Sequence, residues 1–225
     1  MIEQYFRKGI CLDWHKPTNV DAARDGQIHH RIRHSSPLIY DGLAADPGAW
    51  DAAFNHTPPS AIGLTSRMNI HHKWLDYRPG ATARCHRGHN DVLTGFMSGC
   101  LIVTWTDATG DQWVGHVGTV ESEPPNGPTN TLVKTTARGA MTANADGFNP
   151  AAAWTPMELG NLCAAAAVNM PLGAIGGAPH IMALVTSGGV FYSIALMLHA
   201  QNKYVVLGSK QVPGMGNGAL LAALN

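Results

Sequence analysis

Cys100 and His116 are the two residues whose types and spacing best suit covalent chemistry in this chain. The cysteine closes Thr94-Gly95-Phe96-Met97-Ser98-Gly99-Cys100 and precedes the apolar run Leu101-Ile102-Val103-Thr104-Trp105. Sixteen positions later comes His116, in Trp113-Val114-Gly115-His116-Val117-Gly118. A cysteine becomes a nucleophile when a neighbouring imidazole or imidazolium favours its thiolate. Ser98 and Gly99 give a side-chain-poor approach, so backbone N–H groups there can face a developing oxyanion. Thr94 offers a hydroxyl to orient the imidazole, the third-member role filled elsewhere by aspartate or asparagine. Gly115 and Gly118 flank His116 and are expected to leave room for a substrate. Arg84, His86, Arg87 and His89 are candidates to line the cleft and favour the thiolate, with Asp91 a reserve orienting acid. The same residue types also fit an inert buried thiol and a satisfied strand histidine, because free cysteines are among the most buried residues.

Positioning such a pair requires a hairpin. Residues 101–106 are apolar and β-branched, 107–111 read as a turn, and 112–120 alternate as a returning strand. A short loop ending in a left-handed Gly110 keeps the strands in even register. Cys100 and His116 then share a face, with Cβ atoms about 4.5–7 Å apart. Upstream, 91–97 reads as a short helical or turn element. Asp46-Pro47 and Thr155-Pro156-Met157-Glu158 have the form of helix N-caps, opening helices over 46–54 and 155–168. Residues 121–128 and 139–153 read as loops, and 181–186, 190–198 and 203–208 as strands, with Ser187-Gly188-Gly189 a tight turn. Residues 1–60 read as an irregular wrapping segment. The expectation is a single α+β domain over 1–225, a mixed β-sandwich core with flanking helices.

Composition narrows the function classes. The 225 residues are 45% hydrophobic and 13% charged, with fifteen residues of each sign, so the chain is globular and carries no electrostatic footprint for nucleic acid or an anionic membrane. No apolar stretch is long enough to span a bilayer, and the first residues lack the pattern of a cleavable signal peptide. The four cysteines are widely spaced and read as reduced thiols. His71-His72 with Cys85-x3-His89 are the nearest approach to a metal-ligand pattern. Adjacent histidines in extended chain point opposite ways, so neither a metal nor a cofactor is expected.

Thr-x5-Cys, with Ser-Gly directly before the cysteine and Gly-His on the next strand, resembles the glutamine deamidases of the cytotoxic necrotizing factor and Burkholderia lethal factor type. The matching positions are Thr94, Ser98, Gly99, Cys100 and His116, one segment of 23 residues in 225. Chemoreceptor glutamine deamidases share the order Thr, Cys, His, but Trp113 to Gly118 do not reproduce their longer histidine signature. Met97 stands where leucine is usual in the toxin forms. The resemblance implies a deamidase-toxin-like fold with Cys100, His116 and Thr94 as a triad. It further implies a secreted effector acting in a host cytosol on a host protein of the GTPase or translation factor class. Two other readings use the same residues: a papain-like cysteine protease or transglutaminase, and a non-enzymatic secreted binding module with an inert Cys100.

Overall fold

Short runs of β-branched and aromatic residues punctuated by turn glycines make this a chain of strands. The computed structural model describes residues 2–6, 10–13, 28–31, 35–44, 68–95, 97, 100–120, 129–152, 180–200, 203–216, 219 and 222. Among them are β1 (Ile10–Asp13), β2 (Ile28–Arg31), β3 (Ser35–Ala44), β4 (Met68–Asp76), β5 (Thr82–His86), β6 (Val92–Gly95), β7 (Leu101–Asp107) and β8 (Gln112–Val117). Helix α1 (Asn130–Asn144) follows, then β9 (Ala145–Ala152), β10 (His180–Val185), β11 (Phe191–Ala200) and β12 (Lys203–Val212). No described helix is long and apolar enough to cross a membrane.

The strands form two sheets. Seven close into a barrel in the order β1-β12-β11-β10-β6-β4-β3, and five form an open sheet in the order β2-β5-β8-β7-β9. The pairs β4/β6 and β2/β5 are parallel and the others antiparallel, so the arrangement is mixed and compatible with an α+β class. It departs from the expected sandwich in one respect, because one of its layers is closed. Closure removes sheet edges that would otherwise need covering. One buried cluster joins Trp74, Leu75, Leu93 and Ile194 of the barrel with Ala83, Cys85, Ile102 and Val114 of the open sheet. On the other face of the open sheet, Leu101, Val103, Trp105, Trp113 and Val117 are buried as well. Helix α1 touches β8 and β2, burying Val133 and Ala137 at helical spacing.

The hairpin that flanks the candidate pair forms as its sequence suggests. Strands β7 and β8 pair from Leu101↔Val117 to Thr106↔Gln112. Gly110 at φ +85° makes the left-handed corner. Asp107 closes the turn by accepting from Thr109 N, Thr109 Oγ1, Asp111 N and Trp113 Nε1 at 2.6–3.0 Å. Those bonds, with Thr109 and Trp113 foremost, hold its carboxyl down at about 2. The strands expected at 181–186, 190–198 and 203–208 appear as β10, β11 and β12, and Thr186 N to Val190 O closes the turn between the first two.

Other expectations are corrected. Residues 92–95 form strand β6, not a helix or turn, because β4 and β10 hydrogen-bond it on both sides; a short, wholly buried apolar run has no period to declare itself. In place of the loop expected over 139–153, the described residues continue α1 to Asn144 and then form β9 to Ala152. Thr129 Oγ1 accepts from Leu132 N as an N-cap, and the Thr135 and Thr142 hydroxyls donate to carbonyls four residues back. Strands β1, β2 and β3 lie within the segment 1–60 that read as irregular. The helices expected over 46–54 and 155–168 and the loop at 121–128 lie outside the described residues.

Two glycines make opposite predictions. A Cβ on Gly118 would stand 2.1 Å from Arg78 O, whereas one on Gly139 in α1 would meet nothing within 4 Å. Gly118→Ala is expected to destabilise the fold by roughly 1–3 kcal/mol or more through a backbone clash, and Gly139→Ala to stabilise it by about 0.5–1 kcal/mol. Urea denaturation of the two variants checks both signs.

Candidate active site

The backbone route explains which residues meet. Ala83 on β5 and Ile102 on β7 flank His116 on β8, so all three project from the core face of the open sheet. Continuing the alternation of β7, Cys100 falls on the same face, and it belongs to the same buried cluster as Ile102 and Ala83. Past Ala83 the chain runs away from this end to His86, opposite Trp113, and Arg87 N donates to Gln112 O at 2.7 Å. It then turns and returns through β6, bringing Thr94 back to the imidazole. Thr94 Oγ1 and His116 Nδ1 are 2.5 Å apart, a buried contact across the boundary between barrel and sheet.

The environment of His116 is closed. The ring is fully buried, and burial pushes its pKa down to about 3, with the Asp76 carboxylate acting in the opposite sense. It is therefore a neutral imidazole at pH 7, the first of the two forms that could favour a thiolate. The Tyr77 ring stands 5.4 Å from it, tilted by 38°. With Nδ1 on Thr94, His116 Nε2 is a buried nitrogen without a hydrogen-bond partner among the described residues. Such a group has a cost of about 1–3 kcal/mol and calls for an explanation.

Cys100 is 3% exposed. Its sulfur is 3.8 Å from Thr119 Oγ1 rather than bonded to His116 Nε2. Thr119 is itself fixed from both sides. The Tyr77 hydroxyl donates to Thr119 O at 2.6 Å, and the Asn130 side chain, at the start of α1, accepts from Val120 N at 2.7 Å and donates to Val120 O at 3.1 Å. Cys100 and His116 share the core face of the open sheet. Cys85, on the same face of β5, has its thiol pushed up to about 12 by burial, Lys73 offsetting this in part, and stays protonated.

Several sequence candidates are elsewhere. Gly115 leaves no open space, since a Cβ there would lie 2.8 Å from Trp105 and 2.9 Å from Val103 on the far face of the sheet, and Gly118 packs on the Arg78 carbonyl. Arg84 and His86 also project to that far face. The Arg84 guanidinium sits 4.9 Å from the Trp113 ring centre, and His86 Nε2 is 3.3 Å from Asp111 Oδ1. Arg87 and the exposed His89 belong to the turn at the opposite end of β8, so the strand direction that returns Thr94 carries them away. Asp91 accepts from Ser187 N at 2.6 Å instead of reaching the histidine. Ser98 and Gly99 lie outside the described residues. His71 is exposed and His72 buried, as neighbours on a strand must be, and among the described residues no group of three or more His, Cys, Asp or Glu could hold a metal.

Asp76, Tyr77, Thr119 and Asn130 were not singled out from the sequence. An acid and an aromatic closing the apolar run Trp74-Leu75 were a usable signal for the first two. Thr119 and Asn130 have none, because only the tertiary fold brings them to this end of the sheet.

No protein-family model matches this chain. No curated protein matches it. A weak structural neighbour among solved structures is the C-terminal domain of CNFy from Yersinia pseudotuberculosis, aligned over 91% of this chain and 86% of that one at 10% identity and a TM-score of 0.28. At that score the likeness carries no conclusion about fold or chemistry.

The histidine makes a signed prediction. Its folded pKa of about 3 lies below the ordinary value, so between about 6.5 and 3 the unfolded chain binds a proton the native state refuses. Stability is expected to fall across that window on acidification, by up to a few kcal/mol. In His116→Gln that component should vanish, and in Asp76→Asn the His116 titration should move still lower. Urea melts from pH 7 to 4 and the His116 ring shifts measure the two effects.

Proposed function

We propose that this chain is a protein-glutamine deamidase, with Cys100 as nucleophile, His116 as acid and base, and Thr94 as the residue that orients the imidazole. The observation that carries the reading is the 2.5 Å contact of Thr94 with His116 Nδ1, which leaves a buried Nε2 unpaired on the face shared with Cys100. The sequence pattern around these residues, with its resemblance to deamidase toxins, supplies the reaction type.

The chemistry follows from a neutral imidazole. Nδ1–H donates to Thr94 Oγ1, so Nε2 presents a lone pair. When Cys100 Sγ turns from Thr119 towards Nε2, it gives up its proton there and attacks the carboxamide carbon of a glutamine side chain. The C=O electron pair moves to oxygen, and backbone N–H groups beside Cys100 receive the oxyanion. Collapse breaks the C–N bond; ammonia leaves with the proton from Nε2, and a thioester remains. Nε2 then takes a proton from water, the hydroxide attacks, and the C–S bond breaks to release glutamate and restore the thiol. An amine in place of water gives transglutamination at the same site.

On this reading the substrate glutamine belongs to a host protein of the GTPase or translation factor class, as the resemblance suggests. The same reading has the chain act as a secreted effector, a single catalytic domain in the host cytosol. No cofactor is needed in any step of this scheme.

Incubating the whole chain with a panel of GTPases and translation factors, followed by intact-mass analysis, tests this. A gain of about one mass unit per modified glutamine is expected, absent with Cys100→Ser and slowed roughly 10²–10⁴-fold with His116→Ala. Shortened target chains would replace deamidation by the protease reading. Modification that persists in Cys100→Ser would contradict the assignment.

A further inference from the structure

The opposite end of the β7–β8 ribbon holds a second arrangement that the proposed reaction does not use. Arg87, Thr104, Thr106, Gln112, Trp113 and Gly188 line a cleft of about 210 Å³ between the hairpin end and the β10–β11 turn. It begins four residues along β7 from Cys100, or roughly 13 Å at the usual rise of a strand. Arg87, only 7% exposed, forms one wall.

The electrostatics of that arginine are incomplete. Its guanidinium donates to Thr186 O at 2.9 Å, to Ser187 O and to Gln112 Oε1, all neutral acceptors. Among the described residues it has no ion-pair partner, and no carboxylate lines the cleft. Asp91, whose field reaches it, is engaged with Ser187 N at 2.6 Å. A buried cation without a paired anion is unfavourable. Accordingly, burial pushes the Arg87 pKa down, with Asp91 opposing only in part. Two further donors face the same space: with Gln112 Oε1 occupied by Arg87, its amide N–H groups are left over, and Thr106, its cross-strand partner, brings a hydroxyl.

We propose that this cleft binds a small oxyanion, a phosphate or carboxylate group carried by a ligand, which supplies the direct ion pair that Arg87 lacks among the described residues. The volume sets the scale. It is below the roughly 300–1,000 Å³ of sites that enclose a drug-sized molecule, so the cleft takes the anionic head of a ligand and leaves its body outside. Arg87 already ties the β5–β6 turn to β8 and to the β10–β11 turn, so the bound anion bridges three segments at once. The proposal does not depend on the chemistry at Cys100.

The test is a titration of the whole chain with inorganic phosphate and, separately, N-acetylglutamate, at ionic strength held constant with chloride. The Arg87 Nε–H and Trp113 indole N–H resonances report. Saturable shifts are expected with at least one probe: phosphate alone marks a phosphate-bearing ligand, N-acetylglutamate alone a carboxylate-bearing one, and both a site that reads the shared oxyanion. Two variants place a carboxylate in the cleft while leaving Arg87 and its bonds intact. In Gly188→Asp the new Cβ meets nothing nearer than Thr186 Oγ1 at 3.8 Å, and Thr106→Glu acts from the other wall. Each is expected to weaken binding at least ten-fold. Linear, non-saturating shifts with both probes, or wild-type affinity in both variants, would overturn the proposal.

Discussion

A single contact, Thr94 Oγ1 to His116 Nδ1, crosses from the barrel to the open sheet and decides what the buried imidazole can do. Burying a polar ring is favourable only if its nitrogens are bonded. Here one nitrogen is bonded and the other has no partner among the described residues, in a ring on the sheet face that also carries Cys100. Because the ring is sealed from water and its pKa is pushed down to about 3, it is a neutral imidazole at pH 7, with one N–H and one bare nitrogen. The neighbouring residues act on that state in different ways. Asp76 makes a protonated ring less costly, Tyr77 stands beside it at a tilt, and the Cys100 sulfur lies against the Thr119 hydroxyl.

The architecture makes this contact possible by doubling the chain back. Strand β5 leaves the site beside His116, the turn at Arg87 reverses direction, and β6 returns to deliver Thr94 between β4 and β10. Each end of the β7–β8 ribbon is clamped separately. At the sulfur end, Tyr77 and Asn130 hold 119 and 120; at the hairpin end, Asp107 closes the turn and Arg87 binds the ribbon to the barrel. The consequence is a ribbon tied at both ends, with the Cys100–His116 pair at one end and the Arg87 cleft at the other.

The hairpin was legible because its signals are local: a β-branched run, a turn with Asp107 and Gly110, and an alternating return strand. That parity alone placed Cys100 and His116 on one face. Thr94 was reached through its spacing from the cysteine, although the strand that delivers it read as a helix or turn. Helix α1 and strand β9 were not legible. Their stretch is rich in threonine, alanine and glycine, whose side chains give weak periodicity, and they hold through an N-cap, back-bonded hydroxyls and pairing to β7. Arg87 and His89 were misplaced because nearness in sequence to Thr94 is not nearness in space when a turn intervenes. Gly115 was misread because a glycine in a strand marks close packing as readily as open room.

The account stands on which nitrogen of His116 carries the proton. Long-range ¹H–¹⁵N correlation of the His116 ring at pH 7 reads this directly. A neutral ring protonated at Nδ1, with Nε2 bare, is the predicted result. An Nε2–H tautomer, or a doubly protonated ring, would leave Cys100 without a base and contradict the account.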